Sequence, residues 1–119
     1  MRYKREEPFR YEFGKPVTCH MHITSINDKK ISSTKGNAEI MDISPKGIKL
    51  KSTLDLAANN NDIEVQLQFK LANDELKLDG KLMWQKAEFN DFSYGVELFH
   101  DEQIEQLLIK EIKLYSQNN

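Results

Sequence analysis

Apolar and polar residues alternate one for one over several short runs of this chain, and the spacing becomes helical only near the C-terminus. Val17, Cys19, Met21 and Ile23 alternate with Thr18, His20, His22 and Thr24, the period of a half-buried strand. A second strand is expected from Asn37 to Ile43 through Ala38, Ile40, Met41 and Ile43, and a third through Ile48 and Leu50. The cleanest alternation joins Ile63, Val65, Leu67, Phe69 and Leu71. Leu76, Leu78, Gly80, Leu82 and Trp84 are expected on one face of the next strand, with Gly80 at a bulge or sharp coil. Phe92, Tyr94, Val96 and Leu98 form the last strand. Turn-forming clusters separate these runs: Asn27-Asp28-Lys29-Lys30, Ser44-Pro45-Lys46-Gly47, Asn59-Asn60-Asn61-Asp62, Asn73-Asp74 and Asn90-Asp91.

Ile104, Leu107, Leu108, Ile112 and Tyr115 then recur at helical spacing, which predicts an amphipathic helix over about residues 101–116. Asp101 is placed to cap it, and Glu102 and Glu105 suit the positive end of its dipole. About six short strands followed by one helix define an all-β domain, expected as a small closed or nearly closed antiparallel barrel with the helix over an open end.

At 119 residues the chain is long enough for one core but not two. Residues 1–13 are charged, interrupted by Pro8 and punctuated by aromatics, so they are expected to form a basic arm. After the break at Gly14-Lys15-Pro16, residues 14–119 form the single domain. The net charge of −2 does not single out a polyanion, and no DNA or RNA partner is expected. Arg2, Lys4, Arg5 and Arg10 crowd the arm, a local charge suited to a small anionic ligand. Cys19 is the only cysteine, which rules out an intramolecular disulfide, and its place in the alternation makes it a core residue. Without a membrane-length apolar segment or a signal-peptide core, the chain is expected in the cytoplasm, with no membrane insertion, as a monomer or weak homodimer.

Two features carry candidate chemistry. Arginine is a planar fork that can hold phosphate through two parallel hydrogen bonds and stack on a base, so Arg5 and Arg10, with Arg2 and Lys4 in support, form either a phosphate grip or a solvated basic tail. The stretch Asp42-Ile43-Ser44-Pro45-Lys46-Gly47 lies between two strands. The Asp42 carboxylate can accept both N1–H and the exocyclic amine of a guanine, Ser44 can donate or accept, and Gly47 can take a positive φ and keep the backbone approachable. The same residues can also serve only to cap their own turn. His20 and His22 lack a third ligand in sequence, so no metal is expected. No catalytic triad order, phosphate loop or tuned carboxylate pair is evident, so no enzymatic activity and no cofactor are expected.

The turn, together with Gly80-Lys81-Leu82-Met83-Trp84 and with Tyr94-Gly95-Val96-Glu97-Leu98-Phe99 before the helix, resembles the PilZ domain, a small bacterial β-barrel module that binds the second messenger cyclic di-GMP. The family pattern is an N-terminal RxxxR arm and a (D/N)xSxxG turn; the turn matches at every defined position. In the arm, aligning Arg10 with the last family arginine puts Glu6 at the preceding arginine position and Arg5 on an extra arginine just before it. The resemblance implies a six-stranded antiparallel barrel, split or Greek-key-like. It also implies a stand-alone receptor or adaptor in which Arg5, Arg10, Asp42, Ser44 and Gly47 bind cyclic di-GMP. The arm would order over the nucleotide and signal to a downstream protein. The alternative is a PilZ-like barrel that binds no nucleotide and works as a protein–protein interaction module.

Overall fold

The computed structural model describes residues 10–32 and 35–118. Seven strands, β1 (Tyr11–Ile26), β2 (Lys29–Lys30), β3 (Gly36–Ile43), β4 (Gly47–Ser52), β5 (Ile63–Lys70), β6 (Glu75–Ala87) and β7 (Phe92–Leu98), are followed by the helix α1 (Glu102–Asn118). The sheet runs β2-β1-β3-β4-β7-β6-β5, and a further pairing of β1 with β5 closes it. Six antiparallel strands therefore form a barrel, and β2 is a two-residue hairpin arm on the end of β1. Asn27 and Asp28 turn that hairpin with φ of 50° and 70°, the left-handed pair that a tight two-residue connection needs. The closing pairing is made by His20–Ile26 of β1, which covers that edge of β5.

The interior is filled by the alternating residues. Ile40, Leu50, Val65, Leu67 and Tyr94 are completely buried, and Cys19 lies among them, its thiol pushed up to about 12 by burial. Gly80 is buried where β7 crosses close to β6. A Cβ there would stand 2.6 Å from the Glu97 carbonyl oxygen and 2.9 Å from a Val96 methyl. The backbone carbonyl is fixed by the ladder, so Gly80→Ala is expected to cost about 1–3 kcal/mol. A fall in the urea midpoint with an unchanged slope would show it; an unchanged midpoint would mean that β7 can retreat.

Bulges reset the alternation at several places, and this is where the structure departs from the sequence pattern. In β3 the partner of Ile40 is Leu50 and that of Asp42 is Lys49, so Met41 is an extra residue. Ile40 and Ile43 consequently both point inward, and Asp42 turns to the outer face. In β6 the extra residue is Met83, between the pairs Leu82 with Val96 and Trp84 with Gly95. The expected bulge is thus at Met83 rather than Gly80, and Trp84 does not share the inner face of Leu82. It lies on the outside, 41 % exposed. The strand start also differs: Tyr11–Phe13, expected in the arm, belong to β1, where Tyr11 pairs with Ile43 and Glu12 with Asp42. Gly14-Lys15-Pro16 is absorbed as an irregularity between Glu12 and Val17 instead of ending the strand.

Helix α1 packs Leu108 and Ile112 into the core, flanked by Ile104, Leu107 and Tyr115. Its first turn is capped as expected, with the Ile104 N–H donating to Asp101 Oδ1 at 3.1 Å. Tyr115 meets Tyr11 and Phe13 edge-on, at ring-centroid separations of 6.0 and 5.3 Å. The same apolar stripe carries a fully buried carboxylate, Glu111. Its Oε1 accepts the backbone N–H groups of Ala72, Asn73 and Asp74 at 3.1, 2.9 and 3.2 Å, which fastens the helix to the β5–β6 turn. Burial alone would push this carboxyl up, but the three N–H donors and the Lys110 charge outweigh it and hold the carboxyl below its ordinary value.

Candidate functional site

The two bulges that turn Asp42 and Trp84 outward place them in one row across the outside of the barrel. Glu12 pairs with Asp42, Asp42 with Lys49, Lys49 with Gly95, and Gly95 with Trp84. Residues paired in this way face the same side of a sheet. The row floors an open groove of about 900 Å³, whose lining also includes Arg10, Lys46, Gly47 and Glu97. That volume falls within the roughly 300–1,000 Å³ of small-molecule sites.

One end of the groove is polar. Arg10, just before β1, pairs through one guanidinium nitrogen with the Asp42 carboxylate. Its other terminal nitrogen donates to Ser44 Oγ at 3.4 Å. Asp42 is more enclosed than its partner, with 16 % of its side chain exposed against 31 % for Arg10. Burial pushes the Asp42 carboxyl above its ordinary value; Arg10 and Lys49 oppose that shift without cancelling it, and Glu12 adds to it.

The turn after β3 is held by Ser44. Its hydroxyl accepts from the Lys46 and Gly47 N–H groups at 3.3 and 3.1 Å and lies 3.3 Å from the Gly47 carbonyl, to which it can donate. Ser44 is completely buried. It shapes the turn and steadies Arg10, the turn-capping role that the sequence left open beside the ligand-binding one. Gly47 opens β4 opposite Glu97 and lines the groove, but it does not take a positive φ: no glycine among the described residues does. Pairing with Glu97 keeps it extended.

The other end is aromatic. The indole of Trp84 lies against Gly95 so closely that a Cβ at that position would fall 2.1 Å from Nε1 and 2.3 Å from Cε2. Only a glycine leaves room for the ring there, and Trp84, 41 % exposed, lines the groove. Lys49 supplies a cation between the two ends, and Lys46, in the turn before β4, also lines the groove. The structure thus brings Arg10, Asp42 and Gly47 together, with Ser44 immediately behind them. Arg2, Lys4 and Arg5 lie outside the described residues.

Sequence reasoning missed Lys46, Lys49 and the Trp84–Gly95 stack as groove residues. The available signal was the single tryptophan of the chain. No group of three or more potential metal ligands occurs among the described residues, and His20 and His22 sit on the barrel wall opposite Gln68 and Gln66. No helix among the described residues is long and apolar enough to cross a membrane.

The small closed barrel thus carries an external groove that combines a carboxylate, cations and an aromatic ring. The PilZ domain family profile matches residues 2–114, and the chain belongs to that family, a family of cyclic di-GMP receptors. Among solved structures it is similar to the PilZ domain of CeSA from a cellulose-synthesizing bacterium. The TM-score is 0.59 at 14 % identity, over 93 % of this chain and 99 % of that one, a likeness of fold. No curated protein matches the chain.

Proposed function

We propose that this PilZ domain is a cyclic di-GMP receptor that reads a guanine at Asp42, stacks it on Trp84 and holds the phosphates with Arg10 and Arg5. The observation that carries the reading is the row running from Asp42 through Lys49 and Gly95 to Trp84. It sets an acceptor edge and an aromatic ring on one floor with the Lys49 cation between them. A purine nucleotide needs that combination: donors to satisfy, a flat face to cover and negative charge to neutralise. The enclosed Asp42 can accept both N1–H and the exocyclic amine of the base. Lys46 and Lys49 add charge for the phosphates, and Arg10 and Arg5 supply forks that fit them. Binding must also offset the conformational entropy lost by the side chains that grip the ligand, which these charge-assisted contacts do. Binding passes the signal to a downstream protein through a change of shape with no covalent step.

The test is calorimetric titration with cyclic di-GMP, paired with thermal melting. At a free ligand concentration 100-fold above Kd, linkage gives about 2.7 kcal/mol of stabilisation. For a domain of this size that raises Tm by on the order of 10 °C. No heat and no change in Tm would overturn the proposal. The second reading, a PilZ barrel that binds only proteins, is favoured by Glu6, an acid where the family arm carries an arginine. It predicts a partner whose affinity is indifferent to the nucleotide.

A further inference from the structure

We infer that Arg10 is the resident occupant of the guanine-reading edge, and that a guanine enters by displacing it. This rests on the reading of Asp42 as the base-recognising group and adds how that group is guarded. The Asp42 carboxylate holds an Arg10 guanidinium nitrogen, while the other terminal nitrogen reaches Ser44. A guanidinium and the Watson–Crick edge of guanine carry the same element: a planar carbon bearing adjacent nitrogens, each presenting N–H. The two therefore compete for one acceptor. Adenine offers an acceptor beside its exocyclic amine, so it cannot match the arginine donor for donor.

Displacement has a second consequence. Residue 10 immediately precedes β1, while Glu12 is laddered to Asp42, so the arginine can swing without unzipping the strand. A neutral base takes its place on the carboxylate, and the cation set free is available to the phosphates of the same ligand. Base identity thereby controls release of a phosphate-binding charge. An adenine dinucleotide meets a groove whose arginine is still held by Asp42, and selectivity between bases is enforced twice by one exchange.

The experiment compares the parent protein with Arg10→Ala and Arg10→Lys. The probes are guanosine, adenosine and cyclic di-GMP, followed by Trp84 fluorescence and by the amide shifts of residues 42–49. Guanosine has no phosphate, so it reports on the edge alone. Arg10→Ala is expected to bind guanosine at least threefold more tightly than the parent and to bind cyclic di-GMP at least tenfold more weakly. Arg10→Lys, which keeps the charge but lacks the fork, should also gain for guanosine and lose less for cyclic di-GMP. Guanidinium chloride at low millimolar concentration should compete with guanosine in Arg10→Ala, and adenosine should gain in neither variant. Equal or weaker guanosine binding in both variants, with melting curves like the parent's, overturns the inference. So does an equal gain for adenosine. If the parent binds cyclic di-GMP but the variants show no gain for guanosine, the inference fails and the receptor reading stands. If the variants gain for guanosine while the parent ignores cyclic di-GMP, the guarded edge stands and the choice of nucleotide fails.

Discussion

Replacing Glu111 with alanine is expected to remove about 3 kcal/mol of stability, a large share of the roughly 5–15 kcal/mol that holds a domain of this kind together. The three N–H groups of the β5–β6 turn converge on a single carboxylate oxygen from a buried position on α1. Truncation leaves these donors facing apolar surroundings, each at a cost of about 1–3 kcal/mol unless the turn opens to water. Because the turn is on the surface it can partly open, so the total falls well short of the sum. Glu111→Gln keeps an acceptor but loses the charge and puts an amide nitrogen where Oε2 has no partner, so it should lie between the two. Urea unfolding at neutral pH measures both, and a loss below about 1 kcal/mol for the alanine variant would show that the clasp is incidental.

Acidity supplies an independent check. The folded-state carboxyl of Glu111 is held below its ordinary value of 4.5. The stabilisation it provides is thus complete above that ordinary value and is lost as pH falls through the lower folded value. The stability difference between parent and Glu111→Gln should be constant near neutrality and narrow in acid. A difference that widened in acid would mean that burial dominates and the carboxyl is protonated in the folded protein.

The second large effect is on binding. Asp42→Ala should weaken cyclic di-GMP by about 30-fold or more, since two donors of the base lose a charged acceptor, a difference of at least ~2 kcal/mol. The loss is partly offset because Arg10 no longer has to be displaced. Lys51→Ala, on the neighbouring strand β4 but outside the groove lining, should change affinity by less than about twofold, as expected of a surface substitution away from the site. The Asp42 carboxyl is raised above its ordinary 3.8, and only the ionised form accepts both donors. Affinity should hold steady at neutral pH and begin to fall in acid earlier than an ordinary aspartate would dictate. In Asp42→Asn that part of the pH dependence should vanish. Equal affinities for the parent and Asp42→Ala would place the base elsewhere.

Much of this architecture is legible in the order of residues. The period-two runs at Ile63–Lys70 and Phe92–Leu98, and the helical spacing after Asp101, correspond to β5, β7 and α1 because nothing interrupts them. Trp84 was placed on the wrong face because one inserted residue, Met83, reverses the parity of everything after it, and a bulge leaves no mark in the alternation. The start of β1 was missed because Gly14-Lys15-Pro16 breaks the period, although the ladder resumes on both sides. Ser44 was legible as important but not as buried. The same turn motif can face outward or fold its hydroxyl onto its own amides, and only the coordinates separate these cases. Glu111 left one trace, a glutamate three residues after Leu108 on the apolar stripe, easily taken for surface charge.

The three rings of Tyr11, Phe13 and Tyr115 pack edge to face; Tyr11 and Phe13 flank Glu12, and Tyr11 directly follows the arginine that meets Asp42. The cluster joins the first residues of β1 to the last turns of α1, so a probe attached beside Tyr115 tests whether a change at Arg10 reaches the helix: an altered signal on ligand addition would show coupling, and an unchanged one would confine the event to the groove.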